Sequence, residues 1–176
     1  MNNIWHNISK SRISEDDFIS VIEISQGSKI KQELDKETGM LIVDRILHTS
    51  VQYPANYGFI PKTLSEDKDP CDVWVFCSQP LKELSMIRCF PIGIVDMIDG
   101  GMQDEKIIAV PFNDPLYRNF NSLELFPKHV FDELIHFLKV YKELEHKKIE
   151  IKGIYGKEEA KKAIKEGIIR YKKKFG

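Results

Sequence analysis

The chain carries 176 residues, 27 acidic and 26 basic, for a formal net charge of −1 and a hydrophobic share of 42%; that suits a single domain with a substantial core and offers no global field to hold nucleic acid or an anionic membrane. No apolar stretch approaches the ~20 residues of a membrane span, and the Met1-Asn2-Asn3-Ile4-Trp5-His6 start lacks the basic-then-apolar order of a signal peptide. Three cysteines, Cys71, Cys77 and Cys89, form no C-x-x-C pair, which argues against a disulfide framework or a structural zinc and for a soluble protein of the reducing cytoplasm.

Residues 18–25 alternate as a strand should, with Ile22 and Ile24 on one face and Val21 and Glu23 on the other. Further strands are expected at 30–34, 40–46, 73–76, 86–97 and 107–111, separated by turn signals at 35–39, 67–70 and Gly100-Gly101. Between them, Gln52-Tyr53-Pro54-Ala55-Asn56-Tyr57-Gly58-Phe59-Ile60-Pro61 is dense in Tyr, Pro and Gly and reads as a stiff irregular loop carrying two phenols. After Pro127 the period changes. Val130, Phe131, Leu134, Phe137, Leu138, Tyr141 and Leu144 recur at helical steps, and His129 and His136 share a face of that helix suited to packing or a subunit contact. A second helix is expected over 157–173, with Ala160, Ala163, Ile164, Gly167, Ile168 and Tyr171 on one side. Strands first and helices last predict an α+β domain, a small closed five-stranded β-barrel of the OB kind with flanking helices. It spans 1–176 as one unit, with an N-terminal extension over 1–17 and a helical tail over 149–176.

The chemistry concentrates in Asp67-Lys68-Asp69-Pro70-Cys71-Asp72, with Asp99, Asp104 and Lys106 downstream. Clustered carboxylates repel unless a cation lies among them, and carboxylate oxygens are what hard divalent ions select. Pro70 fixes its own φ and donates no hydrogen bond, so it belongs to a rigid turn. An EF-hand fails the count from Asp67: position 5 is Cys71, position 6 is Asp72 and position 12 is Ser78. The bland alternative is a solvated acidic turn beside Lys68. Against it stand groups suited to a polyanion: Lys31 and Glu33 two apart on one strand, Arg45 on the next, and Tyr141-Lys142 late in the helix.

This ordered set closely resembles the family I soluble inorganic pyrophosphatases of the bacterial type, whose Asp-x-Asp-Pro-x-Asp signature is matched by Asp67, Asp69, Pro70 and Asp72. The resemblance runs from about residue 21 to 148 and includes Val21-Ile22-Glu23-Ile24, Val43-Asp44-Arg45 and Tyr53-Pro54-Ala55-Asn56-Tyr57-Gly58. It implies Asp67, Asp72, Asp99 and Asp104 as ligands of several Mg²⁺ ions, with Mn²⁺ or Zn²⁺ as substitutes, and Glu23 helping through water. It implies Lys31, Arg45, Tyr57, Lys106, Tyr141 and Lys142 as groups that bind pyrophosphate and phosphate. Glu33 and Tyr53 would organise them, and Asp69 would take the proton of the attacking water. The compact length resembles that of the bacterial members, which are typically hexamers, more than that of the longer dimeric ones, and this resemblance implies a homo-oligomer, a hexamer before a dimer.

Three departures from the family pattern stand out. Lys68 fills a slot that is usually small or acidic, the Ser25-Gln26-Gly27-Ser28 turn lacks a proline and is one residue short, and Gln32 replaces a common aromatic. Two other readings compete. An oligonucleotide- or saccharide-binding barrel would need a basic groove with exposed stacking aromatics, whereas the distinctive residues here are acids. A non-catalytic homologue would be marked by loss of Asp69 or Asp72, and both are present.

Overall fold

A computed structural model describes residues 3–176. Eight strands form in chain order: β1 (Phe18–Ile24), β2 (Ile30–Leu34), β3 (Leu41–Ile46), β4 (Asn56–Ile60), β5 (Cys71–Val75), β6 (Met86–Asp99), β7 (Met102–Pro111) and β8 (Ile149–Tyr155). Helices are α1 (Ile4–Asn7), α2 (Lys128–Val140) and α3 (Lys157–Phe175). The main sheet runs β1-β4-β5-β7-β6, and β6 returns to pair with β1, so five strands close into a ring. All the ring pairs are antiparallel except β5 with β7. Closure removes the open edges on which a sheet aggregates. The long strand β6 makes this possible by dividing its length: its first part pairs with β1, from Phe18↔Cys89 to Val21↔Met86, and its last part with β8, from Ile94↔Tyr155 to Asp99↔Ile149.

The hydrophobic faces of this ring are covered by the two long helices. Leu134, Phe137 and Leu138 of α2, with Tyr141 capping its end, pack with Ile24, Trp74, Ile92 and Ile108. Ala160 and Ile164 of α3 pack with Phe18, Ile22, Ile60 and Val73. The expected face-sharing of Ile22 and Ile24 does not occur. The β1–β4 register slips between them, so Glu23 is the extra residue of a bulge and its two neighbours enter different cores.

Five further expectations are corrected. The segment read as an irregular loop is a strand from Asn56 onward, seated between β1 and β5. Asn56 and Gly58 hid it. A Cβ on Gly58 would lie 1.8 Å from the Val21 carbonyl oxygen, so only glycine lets the strands approach. The Asn56 side chain accepts from Gln26 N–H at 3.0 Å and Leu81 N–H at 2.8 Å and donates to the Gln79 carbonyl at 3.1 Å, binding two loops to the strand. Strand β5 begins at Cys71, which moves Asp72 off the turn and onto the ring. The helical tail opens instead as strand β8, whose Gly153 weakens its pattern. Leu144 leaves the helical face, because α2 stops at Val140 and Leu144 lies 62% exposed in a 3-10 turn. The residues set aside as an extension are built in: Trp5 and Ile8 are buried, and Trp5 packs with Val21, Phe59 and Tyr171.

Candidate active site

Strands β5 and β7 run parallel with Asp72 opposite Lys106, which places a carboxylate and an ammonium on adjacent strands of one face. Asp104 is two residues from Lys106 and therefore on that same face. Lys106 Nζ donates to Asp72 Oδ2 at 2.9 Å, Asp104 Oδ1 at 2.9 Å and Tyr57 Oη at 3.1 Å. Lys106 is 5% exposed, so its charge is answered by these partners rather than by water. Burial alone lowers the ammonium's pKa, and the Asp72 and Asp104 carboxylates more than reverse this, leaving it well above its usual value. Burial and its like-charged neighbours raise Asp104, and burial together with Asp72 and Asp69 raises Asp67.

These groups form the floor of a cavity of about 220 Å³. Thirteen of the fourteen residues expected from the sequence line it: Glu23, Lys31, Glu33, Tyr53, Tyr57, Asp67, Asp69, Asp72, Asp99, Asp104, Lys106, Tyr141 and Lys142. The fourteenth, Arg45, does not. Its Nε donates to Glu145 at 3.0 Å, its Nη1 pairs with Asp44, and its Nη2 is buried with no hydrogen-bond partner. Lys68, the charge that broke the expected pattern, is exposed and outside the lining. Its φ of +75° belongs to the left-handed region that favours glycine, which explains why a small residue suits the slot.

Aromatic packing fixes the phenols. The Tyr53 ring lies 4.8 Å from Phe137, Tyr57 lies 4.7 Å from Trp74, and Tyr141 stacks on Phe137 at 4.9 Å. Burial raises all three above the usual phenol range, so they stay neutral donors and acceptors at ordinary pH. Glu23 is held by Leu34 N–H at 2.7 Å, and burial raises its carboxyl to about 8, against the lowering effect of that bond. Elsewhere in the lining, Lys142 pairs with Asp99, and Lys31 Nζ lies 3.2 Å from Glu33 Oε2. Trp5, Lys36 and Trp74 also line the cavity and were not singled out from the sequence. Trp5 came from the segment set aside as an extension, and Lys36 from a turn signal at 35–39 that carried no chemistry.

Every polar side chain at the cavity that could meet a cation offers oxygen; no histidine or cysteine lines it. Hard divalent ions fit this donor set. Among the described residues, no three His, Cys, Asp or Glu side chains are gathered tightly enough to make a closed metal centre. Lysines account for the spacing: Lys106 stands between Asp72 and Asp104, while Lys142 holds Asp99.

Residues 20–172 match the family model described as inorganic pyrophosphatase. The chain is 43% identical over 171 residues to soluble inorganic pyrophosphatase 2 of Chlamydomonas reinhardtii, covering 97% of this chain and 89% of that protein. It is 45% identical over 161 residues to the inorganic pyrophosphatase of Aquifex pyrophilus, covering 90% and 91%. The inorganic pyrophosphatase structure from Helicobacter pylori superposes with a TM-score of 0.89 at 39% identity, over 94% of this chain and 99% of that one. That from Thermus thermophilus gives 0.90 at 31% identity, over 97% and 99%. With the closed ring, the acidic cavity and these matches in agreement, the chain belongs to the inorganic pyrophosphatase family, enzymes that hydrolyse pyrophosphate to phosphate.

Proposed function

We propose that this chain hydrolyses pyrophosphate to two orthophosphates in the cavity between β5, β7 and α2, with Mg²⁺ as the activating cation and Asp69 as general base. The observation that carries this reading is the pairing of an all-oxygen acidic lining with lysines and neutral phenols around one small space. Asp67, Asp72, Asp99 and Asp104 would hold the ions, with Glu23 nearby. Mg²⁺ or Mn²⁺ suits these oxygens better than Zn²⁺, which prefers nitrogen and sulfur. When bound, such cations neutralise pyrophosphate oxygens and make a water more acidic.

The chain's own groups supply the rest. Lys31, Lys106, Lys142, Tyr57 and Tyr141 supply donors to the two phosphoryl units, the three lysines, each paired with a carboxylate, by exchanging a partner for a phosphoryl oxygen. Arg45 joins them by exchanging a carboxylate partner for a phosphoryl oxygen, its unpartnered Nη2 being free to donate. Tyr53 and Glu33 hold neighbours in place. Asp69, half exposed at the mouth, accepts the proton as the water oxygen bonds to phosphorus; the bond from that phosphorus to the bridging oxygen breaks, and the second phosphate leaves with the bridging oxygen. The lining offers no serine, threonine, cysteine or histidine nucleophile, and with its aspartates given to cations and to proton transfer the water attacks directly, without a covalent intermediate.

Among the described residues no helix is long and apolar enough to cross a membrane. A cytoplasmic setting is favoured by three unpaired cysteines. Self-association is favoured by the apolar Ile42, Val43 and Ile46 side chains exposed on β3; the homohexamer rests on the resemblance to bacterial members, and its mass in solution tests it.

The deciding experiment is orthophosphate release from pyrophosphate with Mg²⁺, with chelator, and by Asp69→Asn. The expected result is metal-dependent release reduced about 10²- to 10⁴-fold in the variant, the usual worth of a general base. Release that is indifferent to chelator, or a variant with near-normal turnover, would sink the assignment.

A further inference from the structure

At the cavity mouth the Asp69 carboxylate meets Lys36, a residue 33 positions earlier on the β2–β3 turn. The backbone around Asp69 is already fixed, with its N–H donating to Asp67 Oδ1 at 3.0 Å and its carbonyl accepting from Ser65 N–H at 2.7 Å. Those bonds do not orient the carboxylate. Lys36 does, and Lys36 is itself seated from three sides.

The turn is built by Asp35, whose carboxylate accepts from the N–H groups of Glu37 at 3.3 Å and Thr38 at 3.2 Å. The Lys36 carbonyl accepts from Asn3 Nδ2 at 2.8 Å. Its ammonium lies 5.6 Å from the centre of the Trp5 ring. Trp5 is 3% exposed, donates from Nε1 to the Thr63 carbonyl at 2.9 Å, and meets Tyr171 and Phe175 of α3 edge-on. The side chains of Lys36 and Asp69 are 49% and 53% exposed, and an ion pair at such a surface ordinarily contributes little, because ordering two long side chains offsets the attraction. Here the turn and the Asn3 bond fix the backbone from which Lys36 extends, and the indole face steadies its ammonium.

We propose that Lys36 is a positioning residue for the reaction: it holds the Asp69 carboxylate in the orientation that receives the proton of the attacking water, with Trp5 and Asn3 as its seat. The proposal rests on the reading of Asp69 as general base. It gives the N-terminal segment a part in the chemistry, because Trp5 ties the mouth of the cavity to α3.

The test compares wild type, Lys36→Gln, Lys36→Arg, Asp69→Asn and the Lys36→Gln/Asp69→Asn double variant, measuring kcat and KM for pyrophosphate at saturating Mg²⁺. Lys36 sits on the surface, and unchanged circular dichroism verifies the fold of each variant. Lys36→Gln is expected to lower kcat about tenfold with KM within about twofold, Lys36→Arg to recover most of the loss, and Lys36→Gln to add nothing once Asp69 is Asn, as coupled residues behave. Normal kcat in Lys36→Gln, or the same tenfold loss repeated in the Asp69→Asn background, would overturn the proposal while leaving Asp69 as base if Asp69→Asn is itself inactive. Near-normal turnover in Asp69→Asn would overturn the base reading and, with it, any action of Lys36 through that carboxylate.

Discussion

The floor and the mouth of the cavity use the same chemistry in different surroundings. At the floor, Lys106, Asp72 and Asp104 meet on ring strands, with the ammonium 5% exposed. At the mouth, Lys36 and Asp69 meet on turns with about half of each side chain in water. Water screening makes the second pair exchangeable, whereas the first is a buried cluster whose members cannot lose a partner without leaving a desolvated charge. The floor is therefore architecture as well as chemistry, whereas breaking the mouth pair costs the fold little.

Lys106→Met breaks the comparison most strongly. It keeps the volume but leaves two carboxylates facing each other, and the expected loss is about 3–5 kcal/mol of stability in chelator, read as a lowered thermal midpoint. Added Mg²⁺ should return part of it by replacing the missing charge. Asp69→Asn, at the mouth, should leave that midpoint within about 0.5 kcal/mol, as surface substitutions do. Equal losses at both positions would erase the distinction.

Glu23 sharpens the comparison through pH. Its folded carboxyl, raised by burial to about 8 from a usual value of 4.5, holds a proton that the unfolded chain has released. The folded state thus binds more protons between those values, so this contribution is fully present below about pH 4.5 and is lost as pH rises through about 8. In chelator, Glu23→Gln should match wild type at pH 4.5 and become more stable than it by a few kcal/mol at pH 9, since one pKa unit is worth about 1.4 kcal/mol. A constant difference across that range would show that Glu23 keeps its charge in the fold.

The smallest expected effect is at Lys68. Relieving its positive φ with Lys68→Gly should stabilise by about 0.5–1 kcal/mol, because the left-handed strain of about 1–2 kcal/mol is partly offset by the greater freedom of glycine in the unfolded chain. The turnover should be unaffected, since the side chain does not line the cavity. A change in kcat would bring Lys68 back into the site.

Much of this architecture was legible because local pattern and local role coincide. Strand β2 is bounded where the alternation and the Asp35 turn signal put it, and Pro70 marks the bend between Asp69 and Asp72. Legibility failed where a residue serves a neighbour distant in sequence. Gly58 looks like a turn residue until Val21 is seen against it, and Asn56 like a loop residue until it is seen to bind two loops. The bulge at Glu23 belongs to the β1–β4 pairing rather than to either strand. Lys36 lies in no acid or phenol motif, and only folding of the hairpin over the acidic turn reveals its partner. Arg45 carried the right chemistry, but its engagement by Asp44 and by Glu145, a hundred residues later, depends on where α2 ends.

The divided strand β6 also governs how the chain reaches this state. Strands β1, β4 and β5 are complete in sequence before β6, yet the ring closes only when β7 joins β5 to β6, and the free edge of β1 is covered only when Phe18 finds Cys89. Until then β1 presents unpaired backbone to any other chain, and the contacts that satisfy it are far apart in sequence, the kind that form slowly. During synthesis the interval from the emergence of β5 to that of β7 is therefore the period of greatest exposure to misassociation.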